Sequence, residues 1–286
     1  MSDAPDNPPR RPKKFVDDFI PLYDPVAIID HSVDLRTILG HLVAGEPCVY
    51  AKAGEGEFRT ALGFAACAST HWLLPGMAEH MRQSLKRFAV GRDSRVYVAL
   101  HEEWYQQEIQ PFVVEHGLLE RMHWVSQSIW QRAIANFALL EFVGYLKTRQ
   151  TWQYFLPKPV VVGNVNHVPL AESICGIQVQ IPPTDCYLNY YDILRECRRL
   201  SEERPRLFLF MAGPVSELLI ADLYKEHPEH VYLDCGHIWD AMMPDQSMLD
   251  IRSSYSTKRS DSVMRLLEQV YRPLFREHWE SKEEMA

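Results

Sequence analysis

The sequence has no run of about 18 uncharged apolar residues, so no membrane-spanning helix is expected. It has no C-x-x-C pair. Its six cysteines (Cys48, Cys67, Cys175, Cys186, Cys197, Cys235) are dispersed, which speaks against a disulfide frame or a structural zinc site. They read instead as small reduced apolar residues in a cytosol-like compartment. No long basic block interrupts the body, and the net charge is −8, so strong attraction to nucleic acid is not expected. Met1 to Lys14 lacks the apolar centre of a secretory signal. There is no internal repeat and no clean domain linker. Cytoplasmic location, no membrane span and no nucleic-acid partner are the resulting expectations.

What is present is an ordinary globular balance, 47% hydrophobic and 24% charged. At 286 residues, one large α/β domain or two small ones can be built. The Pro-rich, charged residues 1–14 read as a disordered N-terminal arm. Residues 15–286 read as a single α/β domain.

The chain is organised around Cys48-Val49-Tyr50-Ala51-Lys52-Ala53-Gly54-Glu55-Gly56-Glu57-Phe58. A short apolar strand runs into a Gly-x-Gly turn, and a helical-looking apolar run, Ala61 to Trp72, follows. Gly54 and Gly56 permit positive φ or a close ligand approach. In extended backbone, side chains at i and i+2 share a side, so Glu55 and Glu57 can converge. Two hard oxygen ligands suit Mg²⁺ or Mn²⁺, with a diphosphate completing the shell. The same pattern also describes a surface turn with two solvated glutamates.

Asp30 or Ser32 can cap a helix that ends near Ala44-Gly45, with Leu35, Ile38, Leu39, Leu42 and Val43 on one face. Arg95 to Leu100 reads as a buried strand, with His101, Glu102 and Glu103 at its carboxyl end. Ser126 to Thr148 reads as a long helix packed through Ile129, Ala133, Phe137 and Leu140. From Pro157 onward, strands alternate with helices. The expected strands are Pro159 to Gly163, Ile177 to Ile181, Arg206 to Met211 and Val231 to Leu233. The expected helices are Val168 to Ile174, Tyr190 to Glu203 and Val215 to Lys225. This alternation implies a mostly parallel, Rossmann-like sheet with flanking helices and right-handed crossovers. Residues 244–259 read as a mobile polar segment, and Ser262 to about Trp279 as an amphipathic helix.

In such a sheet, loops after strands share one edge. Four of them carry candidate chemistry: Gly54–Glu57, Gly163–His167, Ala212–Ser216 and Asp234–His237. Gly213 and Ser216 open a helix whose free N–H groups can hold a phosphate or merely start the helix. Asn164, Asn166 and His167 can read sugar hydroxyls or cap the next turn. Lys52 can neutralise a diphosphate or sit at the surface. Asp234 and His237 offer a metal ligand, a general base, a ribose contact or a structural histidine.

Taken together, these segments resemble the GT-D-fold glycosyltransferases, a former domain of unknown function. That family carries an early Arg-(aromatic)-Gly-Asp-Gly-Glu block and a late strand ending Asp-(apolar)-Gly-His. Here these read Lys52-Ala53-Gly54-Glu55-Gly56-Glu57 and Asp234-Cys235-Gly236-His237, with similar strand-end loops between them. The resemblance covers about Leu35 to Ala241. It implies a nucleotide-sugar donor, typically UDP-linked, and a glycan or glycoconjugate acceptor. It also implies Mn²⁺ or Mg²⁺ held by Glu55 and Glu57. Donor contacts would come from Lys52, Gly54, Gly56, Gly163, Asn164, Gly213 and Ser216. Asp234, His237 or Asp240 would take the acceptor's proton. Two positions depart from the family: Lys52 replaces Arg, and Glu55 is one methylene longer than Asp. The competing readings are an S-adenosylmethionine methyltransferase, suggested by Ala53-Gly54-Glu55-Gly56, and a non-catalytic binding protein on a degenerate transferase scaffold.

Overall fold

The structure, a computed structural model, describes residues 28–34, 37–38, 40–41, 46–64, 66–68, 71–91, 94–100, 110–127, 158–173, 176–202 and 206–236. In chain order the elements are β1 (Cys48–Ala53), α1 (Glu55–Leu62), β2 (Ala66–Ala68), β3 (His71–Trp72), α2 (Met77–Phe88), β4 (Val96–Leu100), α3 (Gln110–Glu115) and β5 (His123–Ser126). There follow β6 (Val160–Gly163), α4 (Val168–Ser173), β7 (Ile177–Gln180), α5 (Tyr190–Ser201), β8 (Leu207–Phe210), α6 (Val215–Glu226) and β9 (Val231–Asp234). Short 3₁₀ turns at Val165–His167 and Cys186–Asn189 lead into α4 and α5.

Seven strands form one sheet in the order β5-β4-β1-β9-β8-β6-β7, and every pairing is parallel. The expected mostly parallel α/β sheet is therefore the observed one. Sequences such as VYVAL, VVVG and LFLF are apolar at every position because helices cover both faces of a parallel sheet. β2 and β3 form a separate antiparallel pair.

The order of strands positions the site. From β1 the chain builds outward through β4 to β5. It then fills the other half with β6 to β9, and β9 returns to lie beside β1. The seam between β1 and β9 thus joins the two halves, the kind of switch point where parallel sheets bind ligands at their carboxyl edge.

Three helices are tied to one another, and one of them, α6, packs against β1 and β9. Asp222 of α6 accepts the Tyr190 hydroxyl of α5 at 2.8 Å, pairs with Arg87 of α2, and lies 3.4 Å from His80 Nε2. Leu218, Leu219, Met81, Leu85 and Phe58 pack into the same core as Val49, Ala51 and Ala53.

Several expectations are corrected. Ala61 to Trp72 is not one helix. α1 stops at Gly63, which adopts φ +81° and donates its N–H to Arg59 and Thr60, and the β2–β3 pair follows. Asp34, rather than Asp30 or Ser32, accepts the Thr37 N–H at 2.9 Å, while Asp30 closes a turn onto Ser32. α2, α3 and β5 were not foreseen; Ser126 ends β5, and residues 128–148 of the expected long helix lie outside the described residues. So do His101, Glu102, Glu103 and the two segments read after residue 243. Among the described residues, no helix is long and apolar enough to cross a membrane.

Candidate functional site

The early acidic turn differs from the sequence expectation at its first residue. Glu55 to Glu57 are not extended; they are the first turn of α1. The extended backbone expected at residues 55–57 is replaced by a helical one. Gly54, the N-cap, has φ −99° and ψ −169°, an extended conformation open to any residue. It is glycine for space. A Cβ there would lie 2.8 Å from Lys52 Cε and 2.9 Å from Glu57 Oε2. The Gly54 N–H donates to Glu57 Oε2 at 2.7 Å, so this carboxylate caps its own helix. Gly56 is helical, and its carbonyl accepts the Thr60 hydroxyl at 2.7 Å.

Asp234 closes β9 beside β1. Its Oδ1 accepts the Gly236 N–H at 2.8 Å, which turns the chain over the carboxyl edge. Glu217, the third residue of α6, enters the same place, and its Oε1 accepts the Lys52 N–H at 3.2 Å. The three acids are almost closed to solvent: Glu57 and Asp234 are 2% exposed and Glu217 is 0%.

Their charges interact. Burial pushes the Glu57 carboxyl upward; the Lys52 ammonium pulls it down, and Asp234 adds to the rise. Glu217 is pushed well up, first by burial, then by the charges of Asp234 and Glu57. Among the described residues, no donor reaches Glu217 Oε2. That carboxyl interacts with the Asp234 carboxylate, an acceptor like itself. Two carboxyl groups so placed are reconciled by a shared proton or by a cation. A buried carboxylate oxygen without a donor, beside further hard oxygens, fits Mg²⁺ or Mn²⁺.

The other strand-end loops have local tasks. Gly163 ends β6 under His167, and a Cβ there would lie 2.7 Å from His167 Nδ1. Gly163→Ala is therefore expected to destabilise by about 1–3 kcal/mol through overpacking, read as a lower midpoint in urea. Asn164 caps the following turn, accepting the Asn166 N–H at 2.9 Å. Gly213 takes φ +58°, and Ser216 is buried, its hydroxyl accepting the Ala212 N–H at 3.1 Å. His237 and Asp240 lie outside the described residues.

Among the described residues, one group of three brings its ligand atoms within 4.8 Å of one another and could hold a metal ion: His227, Glu229 and His230. It lies at the opposite end of β9 from Asp234. His230 already uses both ring nitrogens. Nδ1 accepts the Arg206 N–H at 3.0 Å, and Nε2 faces the Ser201 carbonyl at 3.2 Å. A cation at His230 would have to displace one of these.

Glu217 was missed in the sequence because an acid in a helix's first turn is commonplace. The signal lay in its surroundings: VSELLIA is otherwise apolar or small and is buried throughout, so the one carboxylate had to face a site.

Two solved structures share this architecture. Each covers 73% of this chain and 80% of its own, with a TM-score of 0.50 and 15% identity. One is a selenomethionine-substituted structure of domain of unknown function 1792. The chain has the fold of that domain. The other structure is described as showing that the highly conserved domain of unknown function 1792 has a distinct glycosyltransferase fold. The resemblance read from the sequence blocks thus holds at the level of the fold. No protein-family model and no curated protein matches the chain.

Proposed function

We propose that this protein is a glycosyltransferase that moves a sugar from a nucleotide-sugar donor, of UDP type, to a hydroxyl of a glycan or glycoconjugate. The observation that carries the reading is the meeting of Lys52, Glu57 and Asp234 at the seam between β1 and β9, in a glycosyltransferase fold. The two sequence blocks that carry the family resemblance are the two chain segments that meet there.

Each group has a task in this reading. Lys52 lies against Gly54, close to the carboxylates, where its ammonium would meet the donor's diphosphate. The buried carboxylates beside Lys52 would hold a divalent cation, which would neutralise charge on the leaving diphosphate. Asp234, His237 or Asp240 would take the proton of the acceptor hydroxyl as it attacks the anomeric carbon. Gly54 leaves room for the Lys52 and Glu57 side chains. Near-complete burial of the carboxylates strengthens every charge interaction there.

Thermal melting with UDP and Mn²⁺, set against S-adenosylmethionine, tests the reading. Ligand at 100 times its dissociation constant should stabilise the parent by about 2.7 kcal/mol. The rise is expected with nucleotide and metal only. Glu57→Ala should lose that rise and also about 0.5–2 kcal/mol of stability with the lost cap. Nucleotide release across a panel of nucleotide-sugars then identifies the donor. A rise with S-adenosylmethionine instead, or no release from any donor, counts against sugar transfer.

A further inference from the structure

The glycosyltransferase reading places a divalent cation in the crevice, and the inference that follows rests on it. We propose that Glu217 of α6, a residue outside both sequence blocks, is a ligand of that cation together with Asp234.

Four observations support it. Glu217 is fully buried, yet among the described residues no donor reaches its Oε2. Leaving a buried polar oxygen without a partner is costly, so its retention needs one. Its other oxygen is pinned by the Lys52 N–H at 3.2 Å, which fixes the carboxylate against the carboxyl end of β1. The carboxyl group is also under the charges of Asp234 and Glu57. Finally, Glu57 and Glu217 both lie in the field of the Lys52 ammonium and both feel the charge of Asp234, so the site is short of positive charge.

The start of α6 also decides which sign of ligand fits. A helix N-terminus ordinarily favours an anion. Here the Ala212 N–H is taken by Ser216 Oγ, and the Glu217 carboxylate already stands in the first turn. A phosphate would meet that carboxylate, whereas a cation would be held by it, with the diphosphate bound from the far side. Mg²⁺ and similar hard cations commonly use one or two protein carboxylates and take their remaining ligands from water and phosphate. A Glu217–Asp234 pair supplies that number. Glu57, whose Oε2 is held by the Gly54 N–H, then shapes the loop and the field around the pair. With Asp234 engaged as a ligand, removal of the acceptor's proton passes to His237 or Asp240.

The test is calorimetric titration of the full chain with Mn²⁺ alone, together with melting in its presence. Glu217→Gln keeps an oxygen for the Lys52 N–H but removes the charge. It should melt at or above the parent without metal and bind Mn²⁺ at least about 10-fold more weakly, the lower end for disturbed metal sites. Glu217→Asp keeps the charge and draws its oxygens back by one methylene; weakened binding there too supports direct ligation. His227→Ala, at the other end of β9, should bind as the parent does. Parent-like Mn²⁺ binding by Glu217→Gln, loss of binding in His227→Ala, or no binding by the parent overturns the proposal. Nucleotide release by the parent is scored separately. Release with intact Mn²⁺ binding in Glu217→Gln would sink the ligand assignment alone.

Discussion

Gly54→Ala should cut sugar transfer by about 100-fold or more, the usual cost of displacing reacting groups by about 1 Å. The backbone at Gly54 is extended, so alanine meets no strain in φ or ψ. The added methyl would lie 2.8 Å from Lys52 Cε and 2.9 Å from Glu57 Oε2, distances that real Cβ contacts do not reach. Lys52 is flexible and can swing away, but its ammonium then leaves the diphosphate position. Glu57 is less free, because moving its carboxylate breaks the 2.7 Å bond from the Gly54 N–H. The stability should fall by no more than about 0.5–2 kcal/mol, the cost of the lost cap, while kcat/KM falls and the UDP–Mn²⁺ shift disappears. Parent-like kinetics in this variant would show that neither side chain needs its observed position.

His230→Ala should destabilise the protein by about 3 kcal/mol, combining a core cavity with two broken buried hydrogen bonds. The imidazole bridges the Arg206 N–H and the Ser201 carbonyl, and it packs beside Phe208 and Tyr232. The same residue gives the fold an acid sensitivity. Burial lowers the His230 pKa, so the folded state favours the neutral ring, whose Nδ1 can accept from Arg206. In the unfolded chain the ring protonates near its ordinary value of about 6.5. Stability is therefore complete above that pH and declines as pH falls through it toward the lowered folded value. Urea midpoints from pH 7.5 to 5 should show this loss in the parent and a flatter profile in His230→Ala. An equal slope in both would assign the acid sensitivity to other groups.

How much of this was legible in the residues depends on which force decides each element. The strands of the second half were readable because a buried parallel strand is a continuous apolar run: Val160–Gly163, Leu207–Phe210 and Val231–Asp234 lie where that rule puts them. The fold class followed from their alternation with helices. The first half was read less well. At Gly54 the pattern Gly-Glu-Gly-Glu has weak helix formers, and only the Glu57 carboxylate reaching back to the cap reveals a helix start. α2, MAEHMRQSLKRF, is polar on most positions, with its core stripe confined to Met77, Met81, Leu85 and Phe88 and the small Ser84. The meeting of the early and late blocks was anticipated because strand-end loops share an edge. Glu217 was not, since its significance comes from burial against Lys52, a contact made across 165 residues.

The place of β9 in the sheet has a consequence for how the molecule comes to exist. It is the last described strand in the chain, yet it is inserted between β1 and β8 rather than added at a rim. Until it emerges during synthesis, two interior edges stand open, with unsatisfied backbone groups facing each other across a gap. Such a late, long-range closure makes folding slow and completes the candidate site only at its end, because the strand that seals the sheet also delivers Asp234. A chain stopped short of residue 231 would offer aggregation-prone edges where the finished protein carries its candidate site.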